Sequence, residues 1–344
     1  MSERLPIALD AMGGDHAPAA MVAGAILAAK NGVPVVLVGR EEQIIAELER
    51  SVGAGWKNLP LSVVHAPDVI GMEDSATQVR GNKNLSINVA VNLVRHKKAS
   101  AVVAQGHTGA TLVSALFGLG RLVGVERPAI VANFPNSKGR VTLVDVGANA
   151  DNRPEFLQGF AMMGAAYSSA MQGIANPTVG LLSIGEEEGK GNALVNETFD
   201  LLKNTPGLHF FGNVEGRDIF KGTVDVVVTD GFTGNVVLKA AESEAKTIIG
   251  WIREALTGTQ ASWLVKLGAW LIRPALRSVA AKLDPAEFGA QPLLGVKGLV
   301  FIGHGSSDAK AVHSALISAQ KAVDANLLEQ VAAKLELLTN KQES

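Results

Sequence analysis

Six short segments concentrate the residues able to do chemistry: DAMGGDHAP (10–18), AQGHTGA (104–110), DVGANAD (145–151), SIGEEEGKGN (183–192), TDGFTGN (229–235) and GHGSSDAK (303–310). Each combines glycine with polar side chains. In the first, Gly13 and Gly14 let backbone amides turn toward an anion, and Pro18 suits a first helical turn. Asp10 and Asp15 are placed to orient His16 or to cap that helix. A tight strand-to-helix turn with a capping Asp accounts for the same residues. The second segment brackets His107 and Thr108 between Gly106 and Gly109, and the fifth sets Asp230, Gly231 and Gly234 before Asn235. The last puts His304, Ser306 and Ser307 at a helix start with Lys310 one turn in, where the serines read equally as a plain N-cap.

SIGEEEGKGN is not a nucleotide P-loop. Gly185 and Gly189 are one residue too close, Gly191 stands where Ser or Thr is required, and three glutamates would repel a triphosphate. Lys190 is the one cation of this loop, suited to neutralising a smaller anion, although a solvated charged loop fits as well. No GxGxxG follows the first strand, which argues against a dinucleotide site and a nicotinamide dehydrogenase. His16, His107 and His304 raise a three-histidine metal site, yet their glycine and hydroxyl neighbours suit hydrogen bonding to an oxyanion better, so no metal is expected.

Composition narrows the classes further. The chain has no cysteine, which removes disulfides, thiolate metal sites and a cysteine nucleophile. Its 31 basic and 33 acidic residues leave a net charge of −2, unlike a protein that neutralises nucleic-acid phosphates. MSERLPIALD has no signal-peptide pattern and no uncharged apolar run reaches spanning length, so a cytoplasmic location is expected.

The elements that must position these loops alternate regularly. Apolar runs such as IALD, VPVVLVG, AVVAQG, TVGLLSIG, DVVVTDG and KGLVFIGHG are each followed by a glycine loop and a helical pattern, while AIVANFP and RVTLVDVG, joined by NSKG, read as a hairpin. This predicts an α/β fold with a mostly parallel sheet covered on both faces, and ligands bound at the carboxyl ends of strands. All six polar segments are then expected along one rim of that sheet, their amides cradling one anion. The sequence 1–344 reads as a single unit with a helical excursion near 255–290. There Trp263, Leu264, Leu267, Trp270 and Leu271 form a helical stripe, and Lys266, Arg273, Arg277 and Lys282 make every charge of 255–283 positive. Pro274 is expected to break or kink this helix. The stripe suits an anionic bilayer, an acidic protein, or burial against the core or a second subunit.

Together DAMGGDHAP, LVDVGANAD, SIGEEEGKGN, VEGRDI, VVTDGFTGNVVLK, PLLGVKG and HGSSDAKA resemble the bacterial acyl-acyl carrier protein:phosphate acyltransferases, the PlsX family, over nearly the whole chain. One departure is His107, where the similar SAGNTGA-type loop commonly has asparagine. The resemblance implies attack of inorganic phosphate on a fatty acyl thioester of acyl carrier protein, giving acyl phosphate early in phospholipid synthesis. It also implies a three-layer α/β/α, Rossmann-like fold akin to phosphotransacetylases and isopropylmalate-type dehydrogenases, a homodimer, and no cofactor. A peripheral place at the inner membrane face, beside a downstream glycerol-3-phosphate acyltransferase, belongs to the same expectation. Phosphate needs positioning more than activation, and donors aimed at the developing oxyanion are the main requirement. Lys190 is expected to neutralise phosphate or oxyanion, Asn235 to be a second donor, and His16 to protonate the thiolate or orient phosphate. Gly13, Gly14, Gly109, Gly234, Ser306 and Ser307 are expected to line the anion pocket. Acyl transfer with coenzyme A and a non-catalytic membrane-surface protein remain as rivals.

Overall fold

The structure is a computed structural model, which describes residues 4–287 and 289–339. Eleven strands form one sheet in the order β3-β2-β1-β4-β11-β10-β5-β6-β9-β7-β8. The strands are β1 (Ile7–Asp10), β2 (Val35–Gly39), β3 (Leu61–His65), β4 (Ala101–Gln105), β5 (Ala129–Asn136), β6 (Gly139–Val144), β7 (Thr178–Leu182), β8 (His209–Val214), β9 (Val226–Val228), β10 (Gln291–Leu294) and β11 (Leu299–Gly303). β1, β2, β4 and β11 are buried at every position, as their unbroken apolar runs require when both faces are covered.

One face carries α1 (Ala19–Lys30), α2 (Glu41–Val52), α5 (Pro154–Gln172), α6 (Ala193–Lys203), α10 (Ala309–Asp324) and α11 (Leu327–Thr339), which share a core with Phe160, Phe301 and Leu316. The other carries α3 (Ser86–Arg95), α4 (Thr108–Leu119), α7 (Gly216–Lys221) and the inner part of α8 (Gly231–Thr257), around Ile87, Ile130 and Leu143. The outer half of α8 and α9 (Trp263–Leu283) project as a helical pair, and among the described residues of α9 only Ala269 is buried. α9 runs through Pro274 without ending, so the expected break is not observed. Trp263, Leu267 and Trp270 are exposed, which removes burial against this chain's own core as the explanation of the stripe.

The expectation of a single rim needs correction. β11, β4, β1, β2 and β3 are mutually parallel, but β10 pairs antiparallel with both β11 and β5, and β5 pairs antiparallel with β6. β9, β7 and β8 follow the direction of β6. The strand ends therefore fall at opposite edges of the sheet, three polar segments at each. The cause is the β5–β6 hairpin itself, which turns the second half of the sheet over.

Candidate active site

At the edge formed by β1, β4 and β11, three main-chain segments approach too closely for side chains. Gly14 has φ +92°, and a Cβ there would lie 2.9 Å from the carbonyl oxygens of both Gln105 and Gly305. The Asp15 amide donates to the Gly305 carbonyl at 2.8 Å, locking the first segment to the last. A cavity of about 20 Å³ lies between Gly13, Gly14, Gly106 and His107, room for roughly one water.

Most of the polar side chains expected to meet a ligand here serve the fold instead. His107 is the N-cap of α4: its Nδ1 accepts from the Ala110 amide at 3.1 Å and its Nε2 donates to the Asp74 carbonyl at 2.9 Å. Both ring nitrogens are thereby engaged, so a role as anion donor is corrected to capping. The histidine in place of asparagine becomes intelligible, since asparagine is a preferred cap whose Oδ1 accepts where His107 uses Nδ1. Ser307 is buried and donates to Gln105 Oε1 at 2.9 Å, while Asp308 rather than the serines caps α10. Lys310 pairs with Asp284 at 2.8 Å and Glu287 at 3.1 Å, tying α10 to the end of α9. Asp10 is buried, its carboxyl pushed up by burial while it accepts from the Met12 amide at 3.1 Å. His304 lies 3.5 Å from Glu242 of α8. Burial works to raise that carboxyl, but His304, Lys239 and Lys246 outweigh it and the group sits below its ordinary value. Asp15, His16, Thr108 and Ser306 are exposed, and the His16 ring has no polar partner among the described residues. Gly109 lies in the first turn of α4 against Ala76.

The opposite edge is organised around Asp145, a residue the sequence reading passed over. It is fully buried and accepts from five donors: the amides of Ile130, Gly147, Ala148 and Asn149, and the Asn149 side chain, all at 2.9–3.2 Å. Burial pushes its carboxyl up, and those donors oppose the shift. The start of α8 rests on this loop so closely that a Cβ on Gly234 would run into the Asp145 carbonyl oxygen. Asp230 caps α8 through the Thr233 amide at 2.8 Å, so it too has a structural task, and Gly231 is buried against Asn149. An aspartate ending an otherwise apolar strand, followed by glycine and asparagine, was the available signal for Asp145.

At this edge two of the residues expected from the sequence, Lys190 and Asn235, are open to a ligand. β6, β9 and β7 are consecutive in the sheet, so the loops bearing Asn235 and Lys190 are neighbours. Asn235 is exposed in the first turns of α8, beside Gly147. In the glutamate loop, Glu186 pairs with Arg217 at 3.0 Å and Glu188 with Lys203 at 3.3 Å. Lys190 is exposed and makes no ion pair among the described residues, its stem lying over Gly185. Exposed Ile184 and Phe232 stand on the same two loops. The edge thus offers one cation, one neutral donor and the α8 N-terminus, a set suited to an anion and a developing oxyanion. His16 and the serines do not join it: α8 climbs twelve residues, roughly 18 Å, from Asp230 to Glu242 before meeting His304. Among the described residues no group of three or more His, Asp or Glu side chains is placed to hold a metal ion.

The chain is similar to several known proteins. Residues 5–330 match the family model described as "Fatty acid synthesis protein". A phosphate acyltransferase of Thermus thermophilus is 57% identical over 332 residues, covering 96% of this chain and 99% of the relative. One from Aquifex aeolicus is 48% identical over 335 residues, covering 97% and 98%. Among solved structures, a phosphotransacetylase from Streptococcus pyogenes superposes with a TM-score of 0.61 at 17% identity over 96% of this chain and 95% of that one. A 4-hydroxythreonine-4-phosphate dehydrogenase from Klebsiella pneumoniae gives 0.55 at 12% identity over 93% and 99%. These two likenesses concern the fold.

Proposed function

Since the chain belongs to the phosphate acyltransferase family and is an acyltransferase, we propose that it moves a fatty acyl group from acyl carrier protein to inorganic phosphate at the Lys190–Asn235 edge. The observation that carries this reading is the pairing, on neighbouring strand ends, of an unneutralised lysine with an open amide donor.

A phosphate oxygen attacks the thioester carbonyl carbon, and a C–O bond forms as the carbonyl π electrons move onto oxygen. Lys190 balances the phosphate dianion and Asn235 donates to the new oxyanion, where one such donor is worth about 3–4 kcal/mol of barrier. Collapse breaks the C–S bond, and the carrier leaves as a thiolate that takes its proton from solvent. The acyl phosphate keeps both former substrates' heavy atoms apart from the thiol. Asp145 does not touch the reactants; it fixes the loop on which the start of α8 rests.

The partners follow from surface chemistry. The projecting α8–α9 pair exposes Trp251, Trp263, Leu267 and Trp270 alongside Lys266, Arg273 and Arg277, a combination suited to an anionic membrane surface or to a second copy of the chain in a homodimer. No helix among the described residues is long and apolar enough to cross a membrane, so contact would be peripheral. An acyl phosphate released there would pass directly to a glycerol-3-phosphate acyltransferase in phospholipid synthesis.

The test is incubation of the protein with long-chain acyl carrier protein and phosphate, trapping acyl phosphate with hydroxylamine. Lys190→Ala and Asn235→Ala are each expected to lower kcat about 10²–10³-fold without loss of fold. Near-normal turnover in either would remove that residue from the mechanism, and coenzyme A thioesters as the preferred donor would displace the carrier.

A further inference from the structure

A cavity of about 990 Å³ runs beside α8, between the two polar edges. Its walls include Val237, Leu238 and Ile248 of α8, Phe134 of β5, Phe220 of α7 and Met171 of α5. We infer that this cavity receives the hydrocarbon chain of the acyl donor. The inference rests on the acyltransferase reading above and adds where the chain lies.

The chemistry of the lining favours a hydrocarbon over a nucleotide or an amide-bearing arm. Its inner polar groups bond to one another: the Asn133 amide donates to Tyr167 Oη at 2.7 Å, and the Gln172 amide to Asn133 Oδ1 at 3.0 Å and Thr142 Oγ1 at 2.8 Å. A polar occupant would have to break these bonds or leave its own groups unpaired, whereas methylene groups make no such demand. Three of the acidic lining residues are also matched, Glu242 with His304, and Asp284 and Glu287 with Lys310.

Length and position agree. Val237 to Ile248 covers eleven helical steps, roughly 16 Å, close to the ~15 Å that acyl chains span in one leaflet of a bilayer. The near end begins two residues beyond Asn235, so a thioester held at the Lys190–Asn235 edge can feed its chain along α8. Ala241 and Ala245, one turn apart, are two of the small residues on the α8 wall of the cavity.

The experiment uses the full chain as wild type, Ala245→Phe and Ala241→Phe, with hexadecanoyl- and octanoyl-carrier protein as donors. Binding of a fluorescent sixteen-carbon fatty acid is measured separately, without carrier or phosphate. The ratio of hexadecanoyl to octanoyl kcat/KM is expected to fall at least tenfold in each variant, chiefly through KM, and probe affinity to fall in parallel. An equal loss for both donors, or undiminished probe binding in both variants, would overturn the inference. So would loss of probe binding that occurs only with a change of oligomeric state by sedimentation, which assigns the cavity to a second copy. If wild type makes no acyl phosphate from either donor, the proposed reaction fails, and the probe alone decides whether a chain is bound here.

Discussion

The two polar edges solve the same steric problem by different means. At the β1–β4–β11 edge, chain segments touch main chain to main chain, and the polar side chains that remain are largely used as caps and ties. At the β6–β9–β7 edge, one buried carboxylate collects the amides of the 147–149 loop on which the start of α8 rests, and Lys190 and Asn235 on the adjoining segments face solvent. The Asp145 loop is anchored from beneath by one carboxylate, whereas His107 and Ser307 are themselves the anchors of theirs. Glycine content alone does not distinguish the two, but the location of the bonding partner does.

Removing the anchor is the severest way to break this contrast. Asp145→Ala removes the acceptor of one buried amide and three part-buried ones; an unpaired buried amide costs about 1–3 kcal/mol, so urea unfolding should show a loss of at least about 2 kcal/mol. A loss below 1 kcal/mol would mean that the carboxylate does not hold the edge. Next comes Gly14→Ala at the other edge. Positive φ combined with two carbonyl oxygens at 2.9 Å should cost about 1–3 kcal/mol by the same measurement, and an unaltered midpoint would deny the close approach.

Smaller substitutions sharpen the comparison. His107→Ala should lose about 1 kcal/mol while His107→Asn retains most of it, because only the cap is at stake; a fall in phosphate affinity with either would return the residue to the binding machinery. The smallest effect belongs to the exposed tie between Asp284 and Lys310. Burial tends to raise the Asp284 carboxyl, but Lys310 and the Ala286 amide prevail and hold it below its ordinary 3.8. The folded state therefore binds this proton more weakly than the unfolded chain, and the contribution is present above pH 3.8 and lost as pH falls through the lowered value. Thermal melts of wild type and Asp284→Asn should differ by at most about 1 kcal/mol at pH 6 and converge in stronger acid. A difference that persists there would exclude the ion pair as its cause.

Much of this was legible in the residues. Alternation of apolar runs, glycine loops and amphipathic patterns gives the layered α/β fold, and both edges carry loops singled out by composition. The hairpin was equally visible, but its consequence for every strand beyond β6 depends on partners far away in sequence. Leu293 beside Ile130 is an example of a pairing that no local pattern announces. Lys190 and Asn235 stand out in the sequence as the lone cation of one glycine-rich loop and the amide that closes another. His107, Ser307 and Lys310 looked similar in sequence, and only their partners, Ala110, Gln105 and Asp284, separate support from chemistry.

The length of α8 has a mechanical consequence. Its 27 residues form a rod of roughly 40 Å, seated at one end on the Asp145 loop and bare at the other around Trp251. A pivot of only 5° about the seated end would swing the bare end by roughly 3.5 Å over such a length. Any displacement of the tip would therefore be geared down into small shifts at the seated end, where Asn235 stands.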